Sequence, residues 1–430
     1  MALFLYRFIF FCLTPILLLL LIIRSKSQKA YRQRLAERFG LLSSQFKTTD
    51  VVVHAASVGE VLAIRPFVEQ LLQQNLTITF TTFTPTGSEQ VKKLFADRVQ
   101  HCYLPLDIWP STLLFLNRIK PKAIVVMETE IWPNLIAQCT NKDIKLLLIN
   151  GRLSESSMKS YSKIRPLIAD ALVKFNKILC QSQQNRDNFA QLGATSDQLE
   201  VSGNVKFDLK ASEAHDKKAQ QIKELIPENK RLWLIASTHA GDEAIALESF
   251  KHLTQHHDNV LLVIVPRHPE RFDQVVALAE SYKFNCQRRS TNQPTNPDTQ
   301  VWILDTLGEL MSVFQLADIV TMGGSFSTIG GHNPLEPALY KKPVIVGYDM
   351  RNFAEVEQQL LEVDGLIKLE QQDIEHQLSR TVTQLLELPG NARKLGDNAY
   401  QVVINNQGAT ARSVQTLIQL IQDNDPPKAA

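Results

Sequence analysis

The chain has 430 residues, 44% of them hydrophobic and 21% charged, which fits a globular protein and, at this length, two domains of ordinary size. Forty-six Lys and Arg against 44 Asp and Glu leave a net charge of +2, so no global field draws nucleic acid and none is expected as a partner. The five cysteines (Cys12, Cys102, Cys139, Cys180, Cys286) form no C-x-x-C pair and the ten histidines no H-E-x-x-H spacing, which argues against a disulfide framework and a zinc site.

The first element is the apolar run Leu3 to Ile23, broken by Arg7 and Pro15. Its uncharged part, Phe8 to Ile23, reaches about 24 Å as a helix against a hydrocarbon core of about 30 Å, so it reads as a short span or a deep interfacial helix. No A-x-A-like cleavage site follows; Arg24, Lys26, Lys29, Arg32, Arg34 and Arg38 do. That pattern is expected of an uncleaved anchor with its basic flank on an anionic phospholipid surface at the cytoplasmic side.

From Val51 onward short apolar runs alternate with helix-period segments, the pattern of a parallel sheet wrapped by helices. The expected strands are Val51–His54, Ile78–Phe83, Ala123–Met127, Lys145–Ile149, Ile178–Cys180 and Leu199–Val201. A polar, strand-free stretch, Asp208–Lys218, marks a linker. Strands then resume at Leu232–Ala236, Val260–Val265, Val301–Leu304, Ile319–Met322 and Pro343–Val346, with Gln287–Gln300 as a surface loop and Asp423–Ala430 as a frayed tail. The resulting division is an anchor at 1–24, a first Rossmann-like domain at 25–208 and a second at 209–430.

In open α/β sheets ligands bind beyond the carboxyl ends of the strands, where helix N-termini offer free N–H groups. The chemistry is therefore expected between two such edges facing each other across a cleft. Polar strings follow the strand ends repeatedly. After the first strand comes His54-Ala55-Ala56-Ser57-Val58-Gly59-Glu60. Ser57 and Glu60 have the spacing of a capping box; equally, a partly desolvated carboxylate here has the raised pKa a general base needs. Both readings stay open. Thr84-Pro85-Thr86-Gly87-Ser88-Glu89 repeats the arrangement, with capping the simpler role for Glu89 and the Thr86 to Ser88 backbone a candidate acceptor lining. Glu128 and Glu130 stand together at a strand end before Pro133, a repulsion that a purely structural turn avoids, so Glu130 is expected to face a ligand. Lys206, where the first domain hands over to the second, can reach a phosphate.

In the second domain Ala236-Ser237-Thr238-His239-Ala240-Gly241-Asp242-Glu243 forms a candidate phosphate cradle, and Pro266-Arg267 places a guanidinium at the next strand end. Leu307-Gly308-Glu309 follows the third strand. Gly323-Gly324 and Gly330-Gly331 then lead to Asn333-Pro334-Leu335-Glu336, with Asn333 as cap, Pro334 opening a helix and Glu336 placed to accept ribose hydroxyls. Neither G-x-G-x-x-G nor G-x-x-x-x-G-K-[ST] occurs, which speaks against a dinucleotide dehydrogenase and a P-loop nucleotidase.

Taken in order, HAASVGE, TPTGSE, METEIWPNL, GNVKFD, STHAGDE, VPRHPER, LGEL and GGHNPLEPA resemble the Kdo (3-deoxy-D-manno-octulosonic acid) transferases of lipopolysaccharide assembly. The resemblance implies a GT-B glycosyltransferase at the cytoplasmic face of a Gram-negative inner membrane. It would move Kdo from CMP-Kdo to a lipid A precursor, inverting the anomeric centre and using no metal or other cofactor. By the same resemblance Glu60 is the proton acceptor, and Glu130 and Lys206 stabilise the transition state. Pro266, Arg267, Leu307, Gly308, Glu309, Asn333, Pro334, Leu335 and Glu336 are the CMP-binding positions. The chain departs from the family pattern at Ala56, where another Ser is common, and at Asn150-Gly151. Two alternatives are another GT-B enzyme, such as a UDP-sugar transferase or epimerase, and a membrane-tethered binding protein that has lost activity.

Overall fold

The computed structural model describes residues 1–27 and 33–423. The chain divides into two compact units, Met1–Asp208 together with the segment from Asn406, and Leu209–Asn405. The expected division at 208 put everything beyond it in the second domain; here the last segment belongs to the first unit.

The first unit holds seven strands: β1 Val51–His54, β2 Ile78–Thr82, β3 Gln100–Tyr103, β4 Ala123–Met127, β5 Lys145–Gly151, β6 Lys177–Cys180 and β7 Leu199–Val201. Their order is β3-β2-β1-β4-β5-β6-β7, and every pairing is parallel. Val53 lies opposite Phe80 on one side and Val125 on the other. β1, β2 and β4 are buried along their whole length, which is why they read as continuous apolar runs rather than alternating ones. Helices cover both faces.

The second unit repeats the scheme with β8 Arg231–Thr238, β9 Val260–Pro266, β10 Cys286–Arg288, β11 Val301–Ile303, β12 Ile319–Met322, β13 Val344–Val346 and β14 Ile367–Lys368. The order is β10-β11-β9-β8-β12-β13-β14, again all parallel. Strands β3, β10 and β14 were not anticipated. β10 opens the segment read as a loop, where Arg289 is then buried.

The helix Ala409–Gln422 packs on helix Val58–Gln73 and on β5. Its Ala409, Val414, Leu417 and Ile421 enter the same core as Val51, Val53 and Phe67. Its N-terminus is held by Asp208, whose carboxylate accepts from the N–H groups of Gly408 and Thr410, both at 2.5 Å. The bonds satisfy donors that the first turn of a helix otherwise leaves orphaned.

The first helix spans Ala2–Ser27. Among the described residues no helix is long and apolar enough to cross a membrane. Phe4, Phe8, Phe11, Ile16 and Leu19 are exposed on it, while Tyr6 and Arg7 bond to the body. The basic flank needs a correction. Arg34 turns inward to Glu37 (2.7 Å), Ser88 (3.1 Å) and the carbonyl of His101 (2.8 Å). Arg38 is buried beneath the rings of Phe83 and Tyr103 and donates to the Phe83 carbonyl. Both guanidiniums are consumed by carboxylate, carbonyl and aromatic partners, so neither serves a lipid surface. Lys29, Arg32 and the tail beyond Asp423 lie outside the described residues.

Candidate active site

In the first unit the strand order reverses between β1 and β4, and the crevice beyond their carboxyl ends is where an open α/β sheet binds ligand. The first turn of the helix after β1 carries Glu60 and the loop after β4 carries Glu130. Ser57 caps helix Val58–Gln73: its Oγ accepts from the Glu60 N–H (3.4 Å) and donates to Glu60 Oε1 (2.8 Å), while the Ala56 N–H donates to Oε2 (2.8 Å). The capping box is therefore formed, yet the carboxylate stays half-buried rather than sealed. Burial raises its pKa above the usual glutamate value and the charge of Glu130 adds to this, against the pull of Ser57, Ala56 and His54. The capping residue and the residue expected to accept a proton are thus the same group.

Glu130 is oriented from three sides. Glu128 takes the left-handed conformation (φ 60°), which turns the chain out of β4. Trp132 Nε1 donates to Glu130 Oε2 at 2.9 Å, and His54 Nε2 lies 3.5 Å from the same oxygen. His54 is wholly buried at the end of β1, its Nδ1 3.0 Å from Thr81 Oγ1, so it links the two strand ends across the crevice. Tyr161 donates to the Thr129 carbonyl (3.2 Å), and its phenol pKa is raised by burial and then by Glu130. Sequence reasoning had passed over Tyr161, which lies in a polar helix with no motif to mark it.

Lys206 sits in the short turn Val205–Phe207 after β7. Asn204 Oδ1 accepts from its N–H (3.0 Å), and Asn150 Oδ1, at the end of β5, accepts from the Val205 N–H (3.1 Å). Asn150 is itself left-handed (φ 55°). The departure at Gly151 has a packing cause: a Cβ there would meet Leu148 at 2.8 Å and Phe189 at 3.1 Å, where β5 shifts register against β6.

Behind Glu130 lies a network the sequence did not reveal. Asp107 is buried and caps helix Pro133–Thr140, accepting from the N–H groups of Asn134 and Leu135 and from the Tyr6 hydroxyl, each at 2.9 Å. Arg7 Nε donates to Asn134 Oδ1 at 2.8 Å. Burial pushes the Asp107 pKa up to about 6 despite these donors. The first helix is thus fastened to the element that begins just after Glu130.

In the second unit the order reverses between β8 and β12, and the polar strings gather there. Ser237 is left-handed (φ 59°), and Gly323 at the end of β12 passes so close that a Cβ would meet the Ser237 carbonyl at 2.7 Å. Asp242, at the start of helix Asp242–Leu253, accepts from the N–H groups of His239 (2.7 Å) and Gly324 (2.6 Å), tying the two loops together. Burial raises its pKa to about 6. Glu243 is fully buried and held bidentately by Arg271 at 2.6 and 3.0 Å.

Arg267 follows Pro266 at the end of β9; its N–H donates to the Thr238 carbonyl (3.0 Å), and its exposed guanidinium makes no ion pair among the described residues. His239, His268 and His332 surround it, with ring centroids of His239 5.2 Å from His268 and 5.1 Å from His332. Asn333 Oδ1 accepts from the Leu335 N–H (3.2 Å) at the start of helix Leu335–Leu339. Glu336 is half-buried in this helix, its pKa raised to about 7 by desolvation. Pro334 and Leu335 are buried, so their side chains serve packing. Glu309 bonds Arg289 (3.0 Å), Lys218 (3.0 Å) and Thr306. That spends its carboxylate within the unit, while Leu307 is exposed and a Cβ at Gly308 would meet open space. Among the described residues no group of three or more His, Cys, Asp or Glu is placed to hold a metal ion.

A family model described as 3-deoxy-D-manno-octulosonic-acid transferase (kdotransferase) matches residues 33–209. A 3-deoxy-D-manno-octulosonic acid transferase of Haemophilus influenzae is 40% identical over 98% of this chain and 99% of its own. Among solved structures, a UDP-GlcNAc 2-epimerase of Neisseria meningitidis superposes with a TM-score of 0.57 at 15% identity, covering 87% of this chain and all of that one. A glycosyltransferase of Rickettsia africae gives 0.56 at 15% identity, covering 89% and 100%. These last two likenesses are of fold: two parallel-sheet α/β units of the GT-B kind, as the sequence pattern implied.

Proposed function

The chain belongs to the 3-deoxy-D-manno-octulosonic acid transferase family and is a glycosyltransferase; on that premise we propose that it moves Kdo from CMP-Kdo to a lipid A precursor of the tetraacyldisaccharide type, with inversion and without a metal. The observation that carries this reading is the Glu60 carboxylate: half-buried, of raised proton affinity, at the β1/β4 crevice beside Glu130. A group of that kind takes the proton of an acceptor hydroxyl as the new glycosidic bond forms. One base acting on the face opposite the leaving group suits inversion.

Glu130, held by Trp132 and His54, supplies negative charge near the positive charge that develops on the sugar. The bond from the anomeric carbon to the phosphate oxygen breaks with its electron pair staying on the phosphate. Lys206 and Arg267 are the cations proposed to offset that charge, in place of a divalent ion. The enzyme is proposed to act at the cytoplasmic face of the inner membrane, where the exposed apolar side chains of helix Ala2–Ser27 meet the lipid interface.

The test is mass spectrometry of the lipid after incubation with CMP-Kdo and a tetraacyldisaccharide acceptor, with CMP, UDP and EDTA as challenges. Kdo-bearing lipid, inhibition by CMP and indifference to EDTA are expected. Inhibition by UDP instead would move the assignment to the UDP-sugar alternative, and an unaltered lipid would favour a binding protein.

A further inference from the structure

The reading above gives no part to the histidine pair of the second unit. His239 Nε2 and His332 Nε2 face each other at 2.9 Å, with ring planes only 8° apart. At that distance one nitrogen donates and the other accepts, so the contact holds a single proton between two rings. Each ring keeps one further nitrogen to offer, and the pair stands at the β8/β12 reversal, at the mouth of the crevice.

The groups facing the pair come from three elements. From the start of helix Asp242–Leu253 come Asp242, whose Oδ2 accepts two N–H groups while its buried Oδ1 has no hydrogen-bond partner among the described residues, and Glu243, held by Arg271. From the end of β9 come Arg267, His268 and Arg271, of which Arg271 is neutralised by Glu243 and Arg267 is not paired. From the loop after β12 comes His332 itself. Burial, then His239, Arg267 and His268, push His332 down to about 4. His239 is lowered by burial and then by His268, Arg271 and Arg267, with Glu243 opposing. Without a ligand the pair is neutral at pH 7, held so by desolvation and by its cationic neighbours. An anion seated against Arg267 reverses the second of these causes.

We propose that His239 and His332 act together as a proton-coupled receptor for the donor's phosphate: when the phosphodiester binds, the pair takes up one proton from solvent and becomes a shared imidazolium. This rests on the reading that the second unit holds the cytidylate donor. The protonated pair presents N–H donors to an anion that the neutral pair contacts more weakly. The pair is therefore charged only when occupied, and the empty crevice keeps Arg267 as its standing cation without the added charge of an imidazolium.

The test is titration calorimetry of the full chain with the methyl ester of CMP, a phosphodiester with no titrating phosphate, at pH 7.5 in two buffers of different ionisation enthalpy. A difference in heat that reports net proton uptake is expected, with affinity falling as pH rises between the pKa of the free pair and that of the bound pair, by at most about tenfold per pH unit, and levelling off above it. His332→Gln should bind about tenfold more weakly and take up no proton. His239→Gln, at a more exposed position, serves the same purpose where the first variant does not fold. Binding with equal heats in the two buffers, or uptake that survives in the variants, overturns the proposal while leaving the donor reading intact. No binding of the ester to the wild-type chain overturns the donor reading instead.

Discussion

Glu60→Gln separates the observed capping role of the carboxylate from its proposed role as proton acceptor. The amide keeps the size of the side chain and an oxygen for the Ala56 N–H, and the Ser57 hydroxyl can rotate to accept from the new NH2. What is lost structurally is the charge on two hydrogen bonds at a helix start, about 1 kcal/mol, or a fall of about 2–4 °C in melting temperature for a unit of this size. What is lost chemically is the base. General-base contributions run at about 10²–10⁴ in rate, which is about 2.7–5.5 kcal/mol on the barrier. The assay is Kdo transfer to the tetraacyl acceptor under single-turnover conditions, with CMP affinity measured alongside. Capping alone predicts a small stability loss and near-normal turnover; the base role predicts the rate loss with CMP affinity unchanged. A variant that keeps more than about a tenth of the wild-type rate refutes the assignment of Glu60 as proton acceptor. The pH profile adds a sign: burial raises the Glu60 pKa, so the rate falls as pH drops through a value above the ordinary 4.5 and recovers as the carboxylate ionises. A profile flat down to the usual glutamate value contradicts the burial argument.

Four further variants have outcomes set by the geometry. Arg267→Ala should leave stability within about 0.5 kcal/mol yet weaken CMP binding measurably, whereas Arg271→Ala, which strands the buried Glu243, should cost about 3–5 kcal/mol in chemical denaturation. Gly323→Ala should drive the end of β12 off the Ser237 carbonyl and reduce both melting temperature and CMP affinity, by calorimetry, while the first unit's packing is untouched. Tyr6→Phe removes a hydrogen bond to the buried Asp107 and should cost about 1.5–3 kcal/mol, seen as faster proteolysis of the first helix and a lower denaturation midpoint.

The central strands were legible because burial on both faces of a parallel sheet leaves an uninterrupted apolar run, as in Val51–His54 and Val260–Val265. The strands missed sit at sheet edges, where β3 begins Gln-His and β14 is a two-residue pair; no apolar run marks them because only the second half of β3 is buried and β10 and β14 have no buried residue. The carboxylates at strand ends were legible from motif and position. Asp107, the His239–His332 contact and the helix from Ala409 were not, since each depends on partners 27, 93 and hundreds of residues away in sequence. Arg34 and Arg38 misled because a basic cluster after an apolar run has the same composition whether its members face lipid or stack on Phe83 and Tyr103.

The return of helix Ala409–Gln422 to the first unit inverts the usual order of assembly during synthesis. Domains generally fold from the N-terminus as the chain emerges, but here Leu417 and Ile421 are needed to close the core that contains Val51 and Val53. The second unit, continuous from Leu209 to Asn405, has all its parts before the first one does. A ribosome that stalls late therefore releases a chain whose second unit can mature while the sheet bearing Glu60 lacks its closing helix.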